Sequence, residues 1–125
     1  MQSIRELVIA VENLEEAIES YQAMGFELER RAVSETLGIK QAFFLMGDGT
    51  HIELAEPFDP DKAVGKGLAR KGEGLYMIAM TVDDVEEAAK GMEQRGVRLV
   101  KGGGRVFVHP SASKGVLIRL DPSEE

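Results

Sequence analysis

Few residue types in this chain can do chemistry. It carries two histidines, His51 and His109, and no cysteine, so thiolate nucleophiles, disulfides and thiolate metal sites are all excluded. His51 stands two residues before Glu53, a spacing that puts both side chains on one face of a strand. With a further acid such as Glu6, that pair has the donor types of a divalent-metal site. Glu6 and Glu53 are also the candidate general bases, a role that requires a carboxyl pKa raised by burial. Arg119 is a fixed cation that serves either as a structural ion-pair partner or as the anchor for a ligand carboxylate or phosphate. His109, followed by Pro110, reads as a structural or ligand-loop residue at a strand end.

Composition narrows the classes these residues can serve. With 125 residues, 43% hydrophobic and 30% charged, the chain has the make-up of one globular domain, 1–125. No apolar run approaches the ~18 residues of a membrane span. The opening Met1-Gln2-Ser3-Ile4-Arg5-Glu6 lacks the basic-then-apolar layout of a secretory signal. A cytoplasmic protein is the expectation. A net charge of −7 and a pI near 4.9 argue against a nucleic-acid partner, which needs a clustered positive face. The densest basic group, Lys62, Lys66, Arg70 and Lys71, reads as a solvated segment or a docking patch for an anionic handle.

The elements that position the candidates are written twice. Val11-Glu12-Asn13-Leu14-Glu15-Glu16-Ala17 lies over Val82-Asp83-Asp84-Val85-Glu86-Glu87-Ala88, and the match runs on to Gly25 over Gly96 and Leu28 over Leu99. Ile52-Glu53-Leu54 lies over Ile118-Arg119-Leu120 at the end of each copy. A repeat of this kind defines the architecture before any motif does. Each copy spells a strand, a helix and three strands. Asn13 and Asp84 are helix N-caps, the acids just after them suit the positive end of the helix dipole, and Gly25 and Gly96 stop the helices. The prediction is strands at about 4–11, 26–33, 39–46 and 50–56 in module one (about 4–57), then a linker at about 58–73 with room for one short helix. Module two (about 74–122) repeats the plan with strands at 75–82, 97–101, 105–109 and 115–120, a helix at 85–95 and a frayed Ser123-Glu124-Glu125 tail. The fold class is α+β, two βαβββ modules in tandem forming a half-barrel with a concave cleft.

Alternation then assigns faces. Leu7, Ile9, Val11, Ile52, Leu54, Ile78, Met80, Val82, Ile118 and Leu120 should pack under the helices. Glu6, His51, Glu53, Met77 and Arg119 should face the concave side. Two carboxylates and a guanidinium there would be costly unless paired, so Arg119 is expected to bridge Glu6 and Glu53. Met77, with Val8, Ala79 and Phe44, would make either plain packing or an apolar pocket wall. Gly102-Gly103-Gly104 lacks the helix and lysine of a phosphate loop and reads as a tight turn.

With these segments, together with Ile52-Glu53-Leu54-Ala55-Glu56-Pro57, Lys71-Gly72-Glu73-Gly74-Leu75 and His109-Pro110 followed by Gly115-Val116-Leu117-Ile118, the chain resembles the vicinal oxygen chelate (glyoxalase, bleomycin-resistance, dioxygenase) superfamily. Its closest resemblance there is to the methylmalonyl-CoA epimerases. The likeness covers nearly the whole chain. It implies a homodimer, a small-molecule ligand and a divalent metal held by one residue from each of four strands, commonly histidine, glutamate or glutamine, histidine and glutamate. Carried over, those positions fall on Glu6, Glu53, Met77 and Arg119, so only Glu53 keeps the pattern. Tyr76 stands where the epimerases often have another histidine. The sequence therefore points to a degenerate metal site, no resident cofactor, and a small anionic or acyl ligand bound without metal catalysis, as in the drug-sequestering members. The alternative is a metal-dependent isomerase or lyase of methylmalonyl-CoA epimerase or lactoylglutathione lyase type, with a divalent ion relocated to Glu6, His51 and Glu53.

Overall fold

A computed structural model describes residues 1–123. Its elements run β1 (Ser3–Ala10), α1 (Leu14–Ala23), β2 (Leu28–Ser34), β3 (Ile39–Leu45), β4 (His51–Pro57), α2 (Ala63–Lys71), β5 (Gly74–Val82), α3 (Val85–Gln94), β6 (Leu99–Gly102), β7 (Arg105–Val108) and β8 (Ile118–Pro122). This is the expected α+β succession of two βαβββ modules, with α2 as the short helix in the linker. No helix among the described residues is long and apolar enough to cross a membrane.

The two helices equivalent by repeat start and stop for the same local reasons. Asn13 and Asp84 both sit in extended backbone, and each side chain accepts from the amide three residues on, Glu16 and Glu87, at 3.0 Å. Each such cap is worth about 1 kcal/mol. Gly25 and Gly96 follow the last turns with φ of 100° and 82°, a region a side chain with Cβ enters only under strain. Helix α2 has no side-chain cap and contains glycines for a packing reason. A Cβ on Gly67 would come within 2.8 Å of the Tyr76 ring.

The chain clusters into two compact units that do not follow the module boundaries: Leu7–Tyr76, and Met1–Glu6 with Met77–Glu125. Strands β1 and β5 each run from one unit into the other. In the Leu7–Tyr76 unit the strand order is β2-β3-β4-β1, with antiparallel β2–β3 and β3–β4 ladders. Its core joins Val11, Leu14, Ile18, Ala42, Phe44, Ile52 and Leu54. Tyr21 stacks on Phe44 at 5.7 Å and tilts against Phe26 at 5.4 Å, contacts worth about 0.5–1.5 kcal/mol each beyond area burial. Phe44 is therefore core on the helix side. Of the two readings open for it, plain packing and a pocket wall, packing is the outcome, and the β3–β4 register places Phe43 opposite Glu53.

In the other unit the order is β1-β5-β8-β7-β6. Strand β5 pairs parallel with β8, and β8, β7 and β6 pair antiparallel. The core here is Val82, Val108 and Leu120, with Val85, Ala88, Met92 and Ile118 packed on it, and it holds no aromatic ring. The first six residues join this unit through the bond from the Gln2 amide to the Thr81 carbonyl, 2.9 Å, and the Ser3–Thr81 hydroxyl pair, 2.8 Å. Ser123 is not frayed, since its amide donates to the Val82 carbonyl at 2.8 Å; Glu124 and Glu125 lie outside the described residues. The face assignment holds for Val11, Ile52, Leu54, Val82 and Leu120. In β1 the opposite face is buried as well, with Val8 at 4% and Ala10 at 3% exposure, while Leu7 and Ile9 are only half-buried.

Candidate functional site

Strand β8 carries the densest charge chemistry. Ile118 and Leu120 turn to the α3 core, so alternation sends Arg119 and Asp121 to the other face. Arg119 grips Asp121 with two nitrogens, Nε donating to Oδ1 at 2.8 Å and Nη2 to Oδ2 at 2.9 Å. Nη2 also donates to Glu6 Oε2 at 3.2 Å. Arg105 Nη1 donates to Asp121 Oδ1 at 2.9 Å. Arg5 approaches the same carboxylate, Nε to Oδ2 at 3.8 Å, while its Nη2 donates to the Pro122 carbonyl at 2.9 Å.

Asp121 is 1% exposed. A bare carboxylate at that depth would cost several kcal/mol, and the bidentate guanidinium with its flanking cations is the arrangement that offsets such a cost. Burial works against the Arg119 charge, yet the hydrogen bonds and field of Asp121 and Glu6 outweigh it, and the Arg119 pKa is raised. Arg119 is thus a permanent cation. Asp121 was missed by sequence reasoning because the last strand was read as ending at Leu120. The available signal was its position two residues after Arg119, hence on the same face.

Glu53 sits in the Leu7–Tyr76 unit, 6% exposed, and accepts from Gln41 Nε2 at 3.1 Å. Across the ladder it faces Phe43, over whose ring the Arg30 guanidinium lies at 3.9 Å, a cation–π contact. His51 is on the same side of β4 as Glu53, but its Nε2 is 3.0 Å from Glu29 Oε1, and its ring meets Phe43 edge-on at 6.5 Å. Glu29 falls at a register shift between Leu28 and Arg30, an irregularity of the kind that re-aims side chains and that no periodicity argument could place.

The sequence candidates therefore divide between the units. Glu6, Met77 and Arg119 belong to one, with Met77 5% exposed; His51 and Glu53 belong to the other. Glu6 and Arg119 are bonded. Among the described residues no group of three or more His, Cys, Asp or Glu side chains is placed to hold a metal ion. His109 Nδ1 lies 3.0 Å from the Ser111 amide and 2.8 Å from its hydroxyl, contacts that assign Nδ1 as the acceptor and make His109 a loop-shaping residue. Gly103 and Gly104, with φ of 59° and 75°, form the two-residue link between β6 and β7, where tight hairpins demand positive φ.

Residues 5–110 match the family model described as the Glyoxalase/Bleomycin resistance protein/Dioxygenase superfamily. The chain belongs to that superfamily. Among solved structures, this superfamily member is similar to a single-residue variant of Streptomyces coelicolor methylmalonyl-CoA epimerase in complex with 2-nitronate-propionyl-CoA. The two are 34% identical, the match covers 100% of this chain and 99% of that one, and the TM-score is 0.84. A hypothetical protein from Bacillus halodurans superposes with a TM-score of 0.87 at 27% identity, covering 98% of this chain and 94% of that one. The mitochondrial methylmalonyl-CoA epimerase of Dictyostelium discoideum is 28% identical, over 94% of this chain and 76% of that protein.

Proposed function

We propose that this superfamily member binds a small anionic or acyl ligand without metal catalysis. The observation that carries the reading is the state of Arg119. It stands where the family resemblance implies an acidic metal ligand, and it is locked there by Asp121 and Glu6. A permanent guanidinium repels a divalent ion at short range. Of the other positions implied for a metal, Met77 offers a thioether, a poor ligand for hard cations, and Glu6 is occupied by Arg119. The donor set does not fit the family metal. What remains chemically is a cluster of guanidiniums around Asp121, of a kind suited to hold a carboxylate or the polarised oxygen of an acyl group.

The likeness to epimerases, one of which is solved with an acyl-CoA ligand, supports acyl thioesters as the first compounds to try. Calorimetric titration of metal-stripped protein with propionyl-CoA and methylmalonyl-CoA tests the reading. Binding is expected without added metal. Stoichiometric uptake of Co²⁺ or Mn²⁺, together with metal-dependent deuterium exchange at the α-carbon of methylmalonyl-CoA, would overturn it. That result would favour the second reading, an isomerase of epimerase type supported by the sequence similarity, with buried Glu53 as its base. On either reading the protein is a homodimer built from a single domain, which sedimentation equilibrium tests; a monomer at working concentrations removes the dimer.

A further inference from the structure

One side chain beside Arg119 is built differently from the rest of the cluster. Arg5, Arg105 and Arg119 all approach the buried Asp121 carboxylate, and Arg119 also holds Glu6. Arg119 is spent on its partners and only 18% exposed, whereas the Arg105 side chain is 49% exposed. Among the described residues Arg105 uses one nitrogen on Asp121. That single bond to a buried acid holds the guanidinium in place while its outer edge stays open to solvent.

The register supplies the rest of the surface. Phe107 lies opposite Arg119, and Val100 lies opposite Phe107. By alternation Arg105, Phe107 and Val100 share the face that carries Arg119 and Asp121. Phe107 is half-buried and Val100 is 44% exposed. A charged head and an apolar stretch therefore lie side by side across β6, β7 and β8.

We infer that Arg105 is the ligand-contacting cation of this face, taking the carboxylate of an organic monoanion whose apolar body lies along Phe107 and Val100, with Asp121 as the residue that positions it. This rests on the reading of the protein as an anion binder and adds to it a contact residue and a ligand class. The planar two-oxygen head of a carboxylate fits the open edge of the Arg105 guanidinium.

Hexanoate, hexanol and hexylamine share a tail and differ in head, which makes them the probes for an NMR titration of the full chain. Hexanoate is expected to shift the β7 amides and the Arg105 side-chain resonance in a saturable way, while hexanol and hexylamine leave them unmoved. Arg105→Gln should weaken hexanoate about tenfold, the equivalent of one charge-assisted hydrogen bond, and Arg105→Lys should restore part of the loss. Equal affinity for hexanol, or an unchanged dissociation constant in Arg105→Gln, overturns the assignment. If hexanoate then still perturbs Arg119, or propionyl-CoA still binds the metal-free protein, the broader reading survives without this one. If neither hexanoate nor the thioesters bind, both fall.

Discussion

The β3–β4 face and the β7–β8 face occupy equivalent places in the two copies of the repeat and have opposite electrostatics. Aligned by their ladders, Glu53 corresponds to Arg119, Phe43 to Phe107, Gln41 to Arg105 and Ala55 to Asp121. One face buries an acid that accepts from the Gln41 amide. The other buries an acid two residues further along its strand and surrounds it with guanidiniums. The shared aromatic shows that the backbone frame is the same. The other three positions decide whether that frame offers a carboxylate or a cation.

The strongest way to break the comparison is to remove its central acid. Asp121→Ala leaves Arg119 buried with Glu6 as its one remaining partner among the described residues and should cost about 3–5 kcal/mol, read as a fall in the urea midpoint. A loss below about 1 kcal/mol would mean that the cluster is held by something other than Asp121. Transplanting the acid is the next test. Ala55, fully buried at 0% exposure, when changed to Asp should destabilise by roughly 2–4 kcal/mol because a carboxylate would be forced into a fully packed site. Tolerance of Ala55→Asp in the same denaturation assay would show that the two faces are interchangeable.

The smallest effect is one of pH. Burial raises the pKa of both Tyr21 and Tyr76, because the low-dielectric surroundings disfavour the phenolate. Their neutral forms contribute stability that is fully present below the unfolded tyrosine value near 10 and is lost as pH rises through the folded values. Ultraviolet titration should therefore show no tyrosinate until above pH ~10, and Tyr21→Phe should flatten the alkaline decline in stability. Ionisation of either tyrosine below its ordinary value contradicts the burial argument.

Much of this was legible in the chain. The caps Asn13 and Asp84, the stops Gly25 and Gly96 and the internal repeat are local signals with local causes, and the elements fall within a few residues of their predicted bounds. Alternation placed Arg119 and Glu53 on the faces opposite the helix cores. It failed where the backbone departs from regularity or where a strand runs past its apolar stretch. Glu29 gained His51 through a register shift, Phe44 went to the helix-side core, and Asp121 continued a strand that seemed to end at Leu120. The N-terminal half of β1 joining the second unit was also invisible, because nothing in Ser3-Ile4-Arg5-Glu6 names a partner some eighty residues away.

That last pairing bears on how the protein is made. Ser3 meets Thr81 across 78 residues of chain, and Glu6 meets Arg119 across 113. At ribosomal speeds the amino-terminal segment waits on the order of ten seconds for its partners to be synthesised, a β-prone stretch with its hydrogen-bonding groups still open to water. Ser3 and Glu6 are thus translated well before the partners that hold them.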